Sequence, residues 1–373
     1  MFNLRMKEEV VTEEREIRII EAKSEAERQA IYQFRYEVLV NEMGRDIADH
    51  ASEWKRISDE VDFWSHLFYI ESQGQIVGTA RLTVGGANEF PQEYYNIFQL
   101  GRFEQFCSQS NYLLGSKFMV APQYRNSSAF FRLMRKGCEV ARENNVQFTF
   151  GGCNPYLLPT YEKFGYRIFA SGFQDKGYGF IVPIICLTED IEHYYAVHSP
   201  LLRVARKVTN SPVAKNWFVT NFPEVVKQRV GILTSKSERW EYIAAVVGDP
   251  LVCISILSDF YEEEAKCLLH AGSLIACRNG QQFIRRGDVC NELYILLRGE
   301  MAVYGLGKRI QLAKPGDAVG AMGLFGQTHH YVNVTAIADC ELLAISRFSF
   351  EKLQKSMPEI MAKLLTGENV WEG

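Results

Sequence analysis

The stretch that most constrains the chain runs from Leu113 to Asn145, LLGSKFMVAPQYRNSSAFFRLMRKGCEVARENN. Lys117-Phe118-Met119-Val120 reads as a short apolar strand, and Pro122 ends it because proline cannot donate to a ladder. Asn126-Ser127-Ser128 supplies helix-capping chemistry. Phe130, Phe131, Met134, Cys138 and Val140-Ala141 then recur at helical spacing, with Arg132, Arg135, Lys136, Glu139 and Arg142 between them. A strand, a tight turn and a helix are predicted. Backbone N–H groups of the turn and the first helical residues then converge on one spot and can hold an anion.

Val120 to Ser128 resembles the acyl-donor loop of the GNAT superfamily of N-acetyltransferases, Q/R-x-x-G-x-G/A. Gln123 matches its first position, and Met119, Val120, Arg125 and Ser127 fall on the same loop. Asn126 and Ser128 stand where the family has glycines. Glycines let a backbone approach a bulky dianion, so side chains here predict a weaker pyrophosphate wrap. The resemblance implies an acyl thioester as co-substrate, on a carrier-protein phosphopantetheine arm or on CoA, with no bound cofactor. An ordinary strand–turn–helix of an α/β core is the competing reading.

At 373 residues the chain predicts two domains or three. A hydrophobic content of 47% and a charged content of 23% are globular values. No apolar run reaches the roughly 18 residues that span a bilayer. The charged N-terminus (Lys7, Glu8, Glu9, Glu13, Glu14, Arg15) has no secretory segment. Nine scattered cysteines without a C-x-x-C pair fit reduced residues of a cytoplasmic protein. No metal-ligand spacing is visible, and a net charge of −4 argues against general nucleic-acid binding.

Residues 16–199 read as the first domain. Ile17 to Ala22 is a strand, Ser24 caps a helix that carries Arg35, and two strands, His66–Ile70 and Ile76–Leu82, flank a turn at Gly74. Phe34-Arg35-Tyr36, Asp59-x-x-Asp62 and Val77-Gly78-Thr79-Ala80-Arg81-Leu82 resemble, in this order, two GNAT relatives. These are the autoinducer synthases and the long-chain N-acyl amino acid synthases, which take acyl chains from acyl carrier protein. Their E-x-S-R-F segment appears as Gln99-Leu100-Gly101-Arg102-Phe103, with glutamine in place of glutamate. Arg35 and Arg81 are candidates for acceptor binding, and Asp59, Asp62, Gln99 and Arg102 for the catalytic set. A structural ion-pair cluster explains the same charges, since buried charges must pair. Glu104 joins Asp59 and Asp62 as a candidate base.

Tyr161-Glu162-Lys163-Phe164-Gly165-Tyr166 resembles the later GNAT signature, which implies that Tyr161 protonates the leaving thiolate. A tyrosine packed between helix and sheet is the alternative. Gly165 suits a left-handed helix end. No Ser-His-Asp or Cys-His arrangement stands out, which fits direct transfer without a covalent enzyme intermediate.

Residues 200–248 form a helical connector. Between Leu201 and Trp240 stand eight basic residues (Arg203, Arg206, Lys207, Lys215, Lys227, Arg229, Lys236, Arg239) and two acidic ones (Glu224, Glu238), a balance of +6. A solvated linker, a dock for acidic acyl carrier protein and a peripheral membrane contact are the readings it admits.

Residues 249–373 change to short strands with regularly placed glycines. Gly280, Gly287, Gly299, Gly316 and Gly320 fall where the cyclic-nucleotide-binding domain, a jelly roll, turns its strands. In ligand-binding members of that family a glutamate holds the ribose and an arginine the cyclic phosphate. Here Ala321 and His330 take those places in a pocket with Gly320 and Tyr331. Losing one charge-assisted contact costs about 1.5–3 kcal/mol, so cAMP and cGMP are not expected to bind. A different ligand, or a structural or dimer-forming role, is the alternative. The last helix is expected over Phe348 to Leu365.

The expected fold is therefore α+β: a GNAT-like mixed sheet with flanking helices, then the connector, then a β jelly roll. The expected activity is N-acyl transfer of a long-chain group to an amine such as an amino acid. A non-catalytic sensor or scaffold retaining both folds is the second reading.

Overall fold

A computed structural model describes residues 17–45, 54–86, 88–125, 127–175, 177–206, 212–227, 231–305, 310–320, 324, 329–366 and 370–371. Asn126 and Ala321, and the connector cations Lys207 and Arg229, lie outside the described residues. By internal packing the chain forms two units. The first holds residues 1–151 and 185–220, the second 152–184 and 221–373.

In the first unit, β1 (Arg18–Glu21) precedes α1 (Glu25–Tyr36), which continues as a π-helical turn over Glu37–Glu42. The Ser24 cap is a full capping box. Ser24 Oγ accepts from the Glu27 N–H, and the Glu27 carboxylate accepts from the Ser24 N–H at 2.8 Å. β2 (His66–Ser72) and β3 (Gln75–Val84) form a hairpin. Its turn residues Gln73 and Gly74 both have positive φ, which matches the right-handed twist of the strands. Then come β4 (Tyr112–Val120), α2 (Ala129–Glu143) and β5 (Phe148–Cys153). The chain enters the second unit for α3 (Leu158–Lys163), β6 (Arg167–Ile168) and β7 (Phe173–Asp175), returning through β8 (Gly179–Leu187) to α4 (Val213–Asn221).

Within the first unit the sheet is ordered β1-β2-β3-β4-β5. β1 to β4 pair antiparallel, and β4 pairs parallel with β5. The predicted strand–turn–helix is present, and its helix buries Leu133, Met134, Cys138 and Val140. Opposing it in character is an aromatic core. Phe103 lies 5.0 Å from Phe148 and 4.9 Å from Phe150, and Trp217 of α4 lies 5.6 Å from Phe103. Phe218 is buried in this core, and Trp217 is partly buried against it.

Among the described residues the second unit contains α5 (Lys236–Val247), α6 (Glu262–His270) and two antiparallel-dominated sheets of four and five strands. One sheet runs β10-β15-β12-β13: Gln282–Ile284, Asn333–Ala336, Met301–Tyr304 and Ile310–Ala313. The other runs β17-β14-β11-β16-β9: Val370–Trp371, Ala318–Val319, Glu292–Arg298, Cys340–Ser346 and Ser273–Cys277. All five glycines named above have positive φ. At Gly316 the need is absolute, because a Cβ would stand 1.8 Å from the Cys253 carbonyl oxygen. The expected last helix is two, α7 (Arg347–Ser356) and α8 (Glu359–Thr366), broken at Pro358. In this unit β6 and β7 pair with β8. The segment 152–184 is part of the same packing: the Gly172 N–H donates to the Ala276 carbonyl at 3.0 Å, and Phe180 lies edge-on to Phe283.

Candidate functional site

The Asp59-x-x-Asp62 spacing has a local cause. Asp59 caps the short helical turn Glu60–Trp64 and accepts from the Val61 N–H at 3.1 Å. Asp62 reaches back to the Asp59 N–H at 2.9 Å, completing a capping box. This fixes both carboxylates beside the arginines of α1 and β3.

Arg35 and Arg81 are fully buried, at 0% exposure. Nη1 of Arg35 donates to both Asp62 oxygens at 2.9 Å and to the Ile57 carbonyl at 3.3 Å. Its Nε and Nη2 have no hydrogen-bond partner among the described residues. Arg81 pairs with Asp59, lies 3.4 Å from Asp62, and donates to Ser116 Oγ at 2.8 Å and the Tyr94 hydroxyl at 3.2 Å. Lys117 Nζ stands 3.8 Å from Asp59. Burial alone would raise the Asp59 pKa, but Arg81 and Lys117 outweigh it and hold the carboxyl below its ordinary value. Asp59 is therefore a counter-ion and a poor proton acceptor. Asp62 lies between the two guanidinium groups of Arg35 and Arg81.

β4 departs from regular geometry at this network. Thr79 pairs with Met119 but Arg81 with Ser116, so β4 carries one extra residue, a β-bulge. Lys117 within it has φ of +54°. The parallel pairing of β4 with β5 covers Tyr112–Leu114 and Phe148–Phe150. Sequence reasoning missed Ser116, Lys117 and Tyr94. The signal available was two polar residues, Ser116-Lys117, inside an otherwise apolar strand.

On the loop after β4, Gln123 is exposed. Arg125 is held by Glu42 at 2.5 Å and by the Val120 carbonyl at 3.2 Å. Ser127 Oγ accepts from the Ala129 N–H at 3.1 Å and so does the capping. Ser128 stands at the N-cap position, but its hydroxyl receives Arg132 Nε at 3.1 Å instead. Gln99, with φ of +50°, accepts from Arg102 Nη1 at 3.0 Å, and Arg102 is exposed. Glu104 is exposed on the same turn.

In the second unit Tyr161 is buried on α3, with its ring edge-on to Tyr166 at 5.6 Å. Tyr166 N–H to Tyr161 carbonyl and Gly165 N–H to Glu162 carbonyl close the helix as a Schellman motif. Burial raises the Tyr161 pKa, so its hydroxyl stays protonated. At the cassette, Gly320 has φ of +82°, and Tyr331 is half-exposed. His330 is buried, and burial lowers its pKa to about 4 despite Asp288. It is neutral near pH 7 and brings no charge for a phosphate.

Among the described residues no cluster suits a metal ion, and no helix is long and apolar enough to cross a membrane. Residues 34–135 match the family model for the GNAT acetyltransferase domain, and residues 274–357 that for the cyclic nucleotide-binding domain. The chain thus joins a GNAT-type acetyltransferase domain to a C-terminal cyclic nucleotide-binding domain. A curated relative, the Pycsar effector protein XpPycTIR of Xanthomonas perforans, is 26% identical over 104 residues, 28% of this chain and 34% of the relative. The match thus spans about a third of that relative's length. Among solved structures, the catabolite activator protein of Thermus thermophilus is 23% identical, covering 30% of this chain and 55% of that one, at a TM-score of 0.28. A cyclic nucleotide-binding-like protein from Brucella abortus is 24% identical, covering 28% and 95%, at a TM-score of 0.26.

Proposed function

We propose that the protein is an N-acyltransferase moving a long-chain acyl group from a phosphopantetheine thioester, on acyl carrier protein or CoA, to an amine such as an amino acid. The observation that carries this reading is the bulge at Lys117. An extra residue in β4 bends the strand and re-aims its backbone beside the Arg81–Asp59 pair, where a thioester oxygen that gains charge during attack would lie. The turn from Gln123 to Ser128 would hold the donor phosphate. Arg35, with two donors unspent, and Arg81 would shape the acceptor side with Gln99 and Arg102. Asp59 and Asp62 keep those cations in place. Tyr161, kept protonated by burial, would donate to the leaving thiolate. The amine attacks directly, the C–S bond breaks, and the amine proton leaves through water, which returns a proton to Tyr161.

The C-terminal domain is read as a degenerate cyclic-nucleotide-binding module, because His330 is neutral where the family carries a cation. That same degeneracy favours the second reading, a sensor or scaffold without chemistry. Expression in bacteria followed by mass spectrometry of small molecules separates the two. New N-acyl amines, absent with Arg102→Ala, are expected. An unchanged metabolite profile would end the enzymatic reading.

A further inference from the structure

Helix α3, which carries Tyr161, is held at both ends by buried carboxylates outside the transfer site. At its leading end the Tyr156 N–H donates to Glu292 Oε1 at 3.2 Å. Glu292 opens β11 of the jelly roll and is 5% exposed. At the trailing end Glu162, also 5% exposed, accepts from the N–H groups of Gly231 and Ile232 at 3.1 and 3.2 Å. These two residues begin the turn before α5, whose buried Arg239 lends its charge to Glu162. Burial raises the Glu162 pKa, and the two N–H groups and Arg239 oppose that rise.

A helix of six residues has too few internal bonds to hold itself in water. Its pose depends on what it is tied to. One tie goes to the jelly roll, and the other to the turn that leads into it. Glu292 also borders the cassette, since a Cβ on Gly320 would come within 2.9 Å of the Glu292 carbonyl oxygen.

We propose that Glu292 and Glu162 are positioning residues for the transfer reaction, through which the C-terminal domain fixes the pose of Tyr161. The proposal rests on the reading of Tyr161 as the acid for the thiolate. It gives the jelly roll a role that needs no nucleotide.

The test uses the full chain with Glu292→Ala, Glu292→Gln and Glu162→Ala, assayed for transfer from acyl-CoA and acyl carrier protein and for amide hydrogen exchange. Glu292→Ala is expected to lower kcat about 10–100-fold with donor KM within about twofold. Exchange over residues 156–166 is expected to rise about tenfold. Glu292→Gln, whose amide oxygen still accepts from Tyr156, is expected to restore both. Glu162→Ala is expected to follow Glu292→Ala. A wild type that transfers nothing overturns the parent reading and this proposal together. An active wild type whose Glu292→Ala variant keeps kcat within about twofold, or whose Gln and Ala variants fall equally, overturns this proposal alone.

Discussion

Arg35 and Arg81 in the first unit are as deeply buried as Leu67 and Ile70, and both stay charged, because guanidinium groups do not deprotonate in proteins. His330 in the second unit is nearly as deeply buried and gives its charge up. The difference lies in what was placed opposite. Asp62 and Asp59 face the arginines from a capping box that fixes their geometry locally. The carboxylate near His330 is Asp288, and its oxygens are engaged by Arg285 at 3.0 Å and Gln174 at 3.0 Å. A site that keeps a buried cation holds acids fixed opposite it. A cassette that has lost its glutamate and arginine settles to a neutral, packed state.

Breaking the first half of that contrast has the largest expected effect. Asp62→Ala leaves Arg35 and Arg81 buried short of a partner, which should cost about 3–5 kcal/mol in urea denaturation of the first unit. A loss under about 1 kcal/mol, the range of surface pairs, would make the network incidental. The second half is sharpened by restoring the family residues. Wild type should show no cAMP binding by calorimetry at millimolar ligand. Ala321→Glu with His330→Arg should gain about 100-fold or more, two contacts at a minimum of about 1.5 kcal/mol each. Micromolar affinity in the wild type would overturn the degenerate-cassette reading.

A pH series tests His330 itself. Its folded pKa of about 4 lies below the ordinary 6.5. The unfolded chain therefore takes up a proton that the folded chain refuses. The stabilisation is complete above pH 6.5 and is lost as pH falls toward 4, on the order of 3 kcal/mol in all. Urea titrations of the second unit at pH 7, 5.5 and 4.5 should show this decline, and His330→Gln should flatten it. A wild type and variant with the same pH slope would place the titration elsewhere. The smallest effect concerns the donor loop. Ser127→Ala should cost about 1 kcal/mol by loss of the Ala129 cap, and Ser128→Ala less. The reverse order, read from thermal unfolding, would return the cap to Ser128.

Much of the architecture was legible in the chain. Turn glycines, the Ser24-x-x-Glu27 box and the run from Met119 through α2 are local signals, and each depends on a few neighbouring residues. The buried network was legible in its members but not in its wiring. Arg35, Asp59, Asp62 and Arg81 stand out as charges among apolar neighbours, yet which acid meets which arginine depends on the fold. The bulge was hidden for a stricter reason: an extra residue in β4 exists only relative to the register of β3. The partners of two connector cations were hidden in the same way. Lys215 pairs with Asp190 and Glu192, and Arg239 faces Glu162, all outside the counted segment. The packing of residues 152–184 with the jelly roll has no local signature at all.

The most direct measurement offers the purified full chain a labelled acyl thioester, on CoA and on acyl carrier protein in parallel, with a mixture of amino acids. Amide is followed by mass spectrometry and free thiol by a colorimetric reagent. The account predicts one amide formed per thiol released with at least one donor, and a loss of about tenfold or more with Arg102→Ala at an unchanged urea midpoint. Thiol released without amide, or neither thioester consumed, would contradict it.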